Sequence, residues 1–167
     1  MSVKLILIGP PGAGKSTVGK VIAKEMQLRL IDTDSRIEEE TGKKISDIFL
    51  EDGEDSFRTI EKRVVLNALE ENGVVISLGG GSILDEQVYQ RLLNEPLVVY
   101  LEVSISNAAP RVGFNTERPL LVANPRAQWL KLFESRKDKY ERLARFQVST
   151  DNRKPKEVAG EIIGLIK

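Results

Sequence analysis

Gly9-Pro10-Pro11-Gly12-Ala13-Gly14-Lys15-Ser16 matches the spacing G-x-x-x-x-G-K-[ST]. It follows the apolar run Lys4 to Ile8 and precedes Val18, Val21, Ile22 and Met26, whose spacing has the period of a helix. Strand, glycine loop and helix in that order make a phosphate cradle. The glycines let the backbone close around a polyphosphate, the first N–H groups of a helix over Lys15 to Met26 point at it, and the helix dipole favours its charge. Lys15 is expected to reach the β- and γ-phosphates and the Ser16 hydroxyl to ligate Mg²⁺. Gly12, Ala13, Gly14, Lys15, Ser16 and Thr17 are therefore the candidate nucleotide-binding residues. The competing reading is a glycine-rich turn that caps a helix. With Gly at about 7% of residues, a chance match in a chain of this length is on the order of one per cent.

Further apolar runs bounded by turn residues occur at Leu28 to Ile31, Val74 to Leu78, Leu97 to Leu101 and Phe146 to Ser149. Helical stripes lie between and after them: Phe57, Ile60, Val64 and Ala68 in the middle, and Val158, Ile162 and Leu165 at the end. This alternation predicts an α/β fold of three layers, a parallel sheet with helices on both faces. One segment breaks the pattern. From Pro110 to Pro125 the chain carries Gly113, Asn115 and several prolines in place of periodicity, and a helix is expected from about Arg126 to Leu143. A loop of that length in a compact domain is either disordered or a functional lid.

Composition narrows the chemistry. The 167 residues with 41% hydrophobic content suit one domain, residues 1–167, with no repeat or linker to divide it. Lys plus Arg and Asp plus Glu both number 25, so there is no basic surplus for nucleic-acid phosphates. Cysteine and histidine are both absent, which removes thiolate nucleophiles, Cys-ligated metals and Ser-His-Asp schemes. Catalysis must then run on carboxylates, Lys, Arg, hydroxyls and backbone amides. The apolar runs of four or five residues fall far short of the roughly 20 a membrane helix needs, and the N-terminus has no signal-peptide pattern. A cytoplasmic monomer that binds small molecules, with no nucleic-acid or membrane partner, is the expectation.

The fate of the nucleotide follows by exclusion. Neither an Asn-Lys-x-Asp guanine reader nor an Asp-x-x-Gly switch occurs, and the third strand runs into Leu78-Gly79-Gly80-Gly81 without the carboxylate of a Walker-B strand. A small-molecule kinase remains. Asp32, closing the second run in Ile31-Asp32-Thr33-Asp34, is the candidate to replace the missing metal carboxylate, since the carboxyl ends of parallel strands line the ligand crevice. If the strand continued, Asp34 would face the same cavity and reach an acceptor hydroxyl. Asp34 as a plain helix cap is the other reading. Three consecutive glycines after a strand suit close approach of a substrate to the backbone, or a tight turn.

Taken together, Gly9 to Thr17, Asp32-Thr33-Asp34, Phe57-Arg58 with Glu61, Leu78-Gly79-Gly80-Gly81, Arg118-Pro119-Leu120-Leu121 and Arg136 before Tyr140 resemble the shikimate kinase family. The match runs in order over essentially the whole chain, and the combination is far more specific than the glycine loop alone. The resemblance implies a nucleoside-monophosphate-kinase-like fold with a five-stranded parallel sheet, a substrate-binding helical segment at about residues 33–61 and a lid at about 111–125. It implies ATP-dependent phosphorylation of the shikimate 3-hydroxyl, with Mg²⁺. The alternatives are a gluconate kinase, a nucleoside monophosphate kinase and a nucleotide-binding regulator without catalysis.

By this resemblance Arg58 and Arg136 hold the substrate carboxylate, Asp34 holds the reacting hydroxyl, and the backbone of Gly79, Gly80 and Gly81 meets the ring or its hydroxyls. Glu61, one helical turn from Arg58, is placed to orient its guanidinium. The implied catalytic set is Lys15, Asp34 and Arg118, the implied metal set Ser16 and Asp32. Arg118 would close on the γ-phosphoryl group from the lid, Arg111 would stack on adenine, and Arg153 would flank the base. Ordinary solvated helix charge is the competing reading of Arg58 and Arg136, and a charged turn that of Arg153. Pro110 and Phe114 depart from what a lid of this family leads one to expect. Trp129 and Tyr140 read as core residues.

Overall fold

The computed structural model describes residues 3–104, 107–108 and 125–167. Pro110, Arg111, Phe114 and Arg118, with all of the expected lid but its last residue, lie outside the described residues. Strands β1 (Lys4–Ile8), β2 (Arg29–Asp32), β3 (Val74–Ser77), β4 (Val98–Glu102) and β5 (Phe146–Ser149) form one sheet in the order β2-β3-β1-β4-β5, every pair parallel. The central β1, β3 and β4 are buried almost throughout, which is why they read as unbroken apolar runs; the edge strands alternate with solvent. β2 runs one residue later than its apolar stretch and ends on Asp32, because the ladder continues to the Asp32–Ser77 pair.

Seven helices lie among the described residues: α1 (Lys15–Met26), α2 (Thr33–Thr41), α3 (Ile45–Asp52), α4 (Glu54–Ala68), α5 (Glu86–Leu93), α6 (Pro125–Leu143) and α7 (Pro155–Ile166). Because side chains alternate across the strands, Leu5, Leu7, Val99 and Leu101 pack on α1 and α7 through Val18, Ile22, Val158 and Ile162. Ile6, Ile8, Ile76 and Val98 face the other way, onto Val65 and Ala68 of α4 and Val88 and Leu92 of α5. A third, smaller cluster of Ile37, Ile45, Ile48, Phe57 and Val64 makes α2, α3 and the start of α4 a unit of their own. Leu165, expected in the α7 stripe, is exposed. The buried face runs through Val158, Ala159, Ile162 and Ile163, and at 100° per residue Leu165 stands about 90° from its centre.

The junction of β2 and α2 differs from the expectation of a continuing strand. α2 begins at Thr33, so Asp34 sits in its first turn and does not alternate with Asp32. The capping carboxylate is that of Asp32, whose Oδ1 accepts the Ser35 N–H at 3.2 Å.

Candidate active site

The glycine loop leaves the carboxyl end of β1, in the middle of the sheet, and hands the chain to α1 at Gly14, whose φ of 87° only glycine adopts freely. Lys15 is buried, with Nζ donating to the carbonyls of Gly9 at 2.7 Å and Pro10 at 3.0 Å. Its ammonium is thus held over the loop by neutral acceptors that phosphate oxygens outbid. Ser16 Oγ donates to Asp32 Oδ2 and lies 3.3 Å from Ser77 Oγ. Asp32 therefore uses one oxygen as a helix cap and the other toward Ser16. A hydroxyl and a carboxylate beside a phosphate loop are the hard oxygen donors Mg²⁺ prefers, and they fit that ion. Ser77 was missed from sequence: it stands at the end of β3, where only a carboxylate was sought.

Gly79-Gly80-Gly81 follows β3 alongside the glycine loop. A Cβ on Gly80 would stand 3.1 Å from Pro11 Cδ and 3.3 Å from the Gly9 carbonyl oxygen, with Arg136 Nη1 at 3.5 Å. A Cβ on Gly81 would stand 2.6 Å from Arg58 Nη1. Neither glycine has a positive φ in this turn. They are required by what comes close, with the phosphate loop on one side and a guanidinium against each residue. Arg58 donates to Glu61 at 2.7 Å, the orientation its spacing implied, and Glu61 is only 2% exposed. Arg136 is 4% exposed, so it is not a solvated helix charge. Arg58, Glu61 and Gly81 open onto a cavity of about 300 Å³ that also includes Lys62, Ser82, Leu84 and Asp85. Thr33, not singled out from sequence, is fully buried; its Oγ1 donates to the Ser77 carbonyl and accepts the Gly79 N–H, fastening the β2–α2 junction to the triple glycine.

On the other flank of the glycine loop, Ala13, Gly14, Thr17 and Val18 share a cavity of about 190 Å³ with Thr150, Arg153, Pro155 and Val158. Arg153 lines it while its guanidinium donates to the Ser149 carbonyl at 3.0 Å and pairs with Glu161 at 2.7 Å. Pro155 was legible only as the start of α7; the fold turns its ring toward the cavity by placing the β5–α7 turn beside α1. Trp129 and Tyr140 are core residues as expected, but each also grips a loop: Trp129 Nε1 donates to the Pro11 carbonyl at 2.8 Å, and Tyr140 Oη to the Gly80 carbonyl at 2.7 Å.

Comparison with known proteins agrees with this arrangement. The family model described as shikimate kinase matches residues 11–167. The shikimate kinase of Thermobifida fusca (strain YX) is 49% identical over 154 residues, 92% of this chain and 89% of that protein. That of Rhodococcus jostii (strain RHA1) is 42% identical over 164 residues, 98% of this chain and 97% of that protein. Among solved structures, shikimate kinase from Acinetobacter baumannii in complex with shikimate superposes with a TM-score of 0.94 at 33% identity, covering 98% of this chain and 92% of that one. With a phosphate loop, an acidic pair and two arginines gathered at one end of the same sheet, the chain belongs to the shikimate kinase family, phosphotransferases of aromatic amino acid biosynthesis.

Proposed function

We propose that this chain transfers the γ-phosphoryl group of ATP to the 3-hydroxyl of shikimate. The observation that carries the reading is the position of Gly80 and Gly81, with the phosphate loop on one side and Arg136 and Arg58 against them. On this reading the phosphate donor site and the cationic carboxylate site adjoin across these two glycines. Arg58, held by Glu61, and Arg136 take the carboxylate of the acid as guanidinium forks, with the backbone of Gly79, Gly80 and Gly81 beside the ring. Asp34 accepts a hydrogen bond from the 3-hydroxyl and aligns its oxygen with the γ-phosphorus. The new P–O bond forms as the bond to the β-phosphate bridging oxygen breaks, ADP leaves, and the hydroxyl proton passes to Asp34 and solvent. The transition state is loose, so alignment matters more than a strong base.

Gly12, Ala13, Gly14 and Thr17 wrap the phosphates, and Lys15 turns from its loop carbonyls onto the β- and γ-oxygens. Ser16 and Asp32 would hold Mg²⁺, which when bound neutralises charge on those phosphates. The base lies in the cavity beside Arg153. Arg111 and Arg118, outside the described residues, are assigned to the base and the γ-phosphoryl group through the family pattern alone. No helix among the described residues is long and apolar enough to cross a membrane, and a cytoplasmic monomer acting on small molecules completes the proposal.

An ADP-release assay with shikimate, gluconate and nucleoside monophosphates as separate acceptors tests it. Release with shikimate at least about a hundredfold faster than with the others is expected, since an open-chain acid or a bulkier nucleotide cannot present both its anion to the two arginines and a hydroxyl to Asp34 at the spacing of a compact ring. Comparable release with gluconate or a nucleotide would assign the other kinase class. Tight nucleotide binding without turnover on any acceptor would make the chain a regulator.

A further inference from the structure

The side chains of α6 that grip the two glycine loops lie eleven residues apart. At 100° and 1.5 Å per residue that places Trp129 and Tyr140 within about 20° of the same helix face, about 16 Å apart along its axis. Phe133 and Arg136 fall between them on that face. Both rings are locked: Trp129 is 2% exposed and stacks on Phe133 at 5.0 Å, and Tyr140 is fully buried and stacks on Tyr100 at 5.2 Å. Trp129 belongs to the core layer under α1 and α7, whereas Tyr140 belongs to the layer on the opposite sheet face. One rigid helix thus spans both layers at the edge where the substrates meet.

Each hydrogen bond also aims a neighbouring donor. The described peptide bonds are all trans, and in a trans peptide the C=O of one residue and the N–H of the next point in opposite directions. With the Pro11 carbonyl turned to Trp129, the Gly12 N–H points away from α6; with the Gly80 carbonyl turned to Tyr140, the Gly81 N–H points away likewise. We infer that Trp129 and Tyr140 are positioning residues of the phosphoryl transfer, Trp129 setting the Gly12 amide for the nucleotide phosphates and Tyr140 setting the Gly81 amide for the acceptor. α6 is the ruler that fixes the spacing of the two half-sites. This rests on the proposed reaction for the acceptor half only.

Trp129→Phe and Tyr140→Phe keep the ring and remove the donor. Each is read by steady-state kinetics in both substrates, with Leu143→Ala, a buried change on the same helix that removes no hydrogen bond, as the comparison for loss of stability alone. Trp129→Phe is expected to raise the KM for ATP and the Kd for Mg-ADP about five- to tenfold, the effect of one net hydrogen bond, with the KM for shikimate within twofold. Tyr140→Phe should reverse the pattern. Equal changes in both constants, no change in either, or the same changes in Leu143→Ala would reduce the two residues to structural roles and overturn the inference.

If a Phe variant fails to fold, the wild-type chain still decides, since Trp129 is its only tryptophan. Its emission should shift on saturation with Mg-ADP and stay unchanged with shikimate alone. The opposite pattern, or silence to both, contradicts the assignment. Mg-ADP affinity needs no acceptor, so loss of it in Trp129→Phe stands even if wild-type enzyme does not turn over shikimate, a result that would strike the proposed reaction instead.

Discussion

A methyl group on Gly81 would meet the Arg58 guanidinium at 2.6 Å, yet that guanidinium is the far end of a flexible side chain. Gly81→Ala should therefore let the backbone stand while displacing Arg58 from Glu61, and because that carboxylate is buried some thermal stability is lost with the pairing. The expected result is a rise of about tenfold or more in the KM for shikimate with the KM for ATP unaffected, losing a charge-assisted contact worth roughly 1.5–3 kcal/mol. Asp34 is proposed to have the complementary role. Asp34→Asn keeps shape and helix start but loses the negative acceptor, so turnover should fall by more than about tenfold, about 1.4 kcal/mol of barrier, with Mg-ATP affinity intact. Retention of over a tenth of wild-type kcat would remove Asp34 from the chemistry. At this scale the motif residues were legible because backbone spacing dictates a phosphate loop. Thr33, Ser77 and Pro155 were not, since nothing local distinguishes a hydroxyl or proline at a strand end from one in any turn.

Between elements, Glu71 follows α4 and ties it to its neighbours, pairing with Arg36 of α2 at 2.8 Å and Arg29 of β2 at 3.1 Å. The Arg36 hydrogen bond, aided by Arg29, holds its carboxyl below the ordinary 4.5. A lowered carboxyl pKa contributes stability that is present above that ordinary value and is lost as pH falls through the folded one. Glu71→Gln should then cost under about 1 kcal/mol at pH 7, as partly exposed pairs do, and the gap to wild type should narrow as pH falls below 4.5. Unfolding midpoints of both proteins at pH 7 and pH 3.5 check this; a gap of the same size at both would discard the ion pair as its cause. Element types were readable from periodicity, and β1 and α1 match their expected bounds. The β2–α2 boundary was not, because the Asp32 cap and the Ser77 pairing, not the apolar pattern, end the strand.

For the molecule as a whole, nucleotide binding is linked to folding. Mg-ATP at a hundred times its Kd should add about 2.7 kcal/mol, which for a chain of this size raises Tm by roughly 5–11 °C. Lys15→Met, which removes the ammonium but keeps the stem, should abolish most of that rise with little change in Tm without nucleotide; an undiminished rise would take Lys15 out of phosphate binding. The chain by itself determined the three-layer α/β class, the phosphate cradle and the candidate carboxylates and arginines, because strand and helix periods and loop spacing are local properties of the backbone. It did not determine that Arg58 and Arg136 share one diglycine, that α6 holds both loops, or that Asp34 sits on a helix and not a strand. Those were decided by the tertiary structure, since the parallel order β2-β3-β1-β4-β5 brings together strand ends from distant parts of the chain, and only packing sets which side chains meet there.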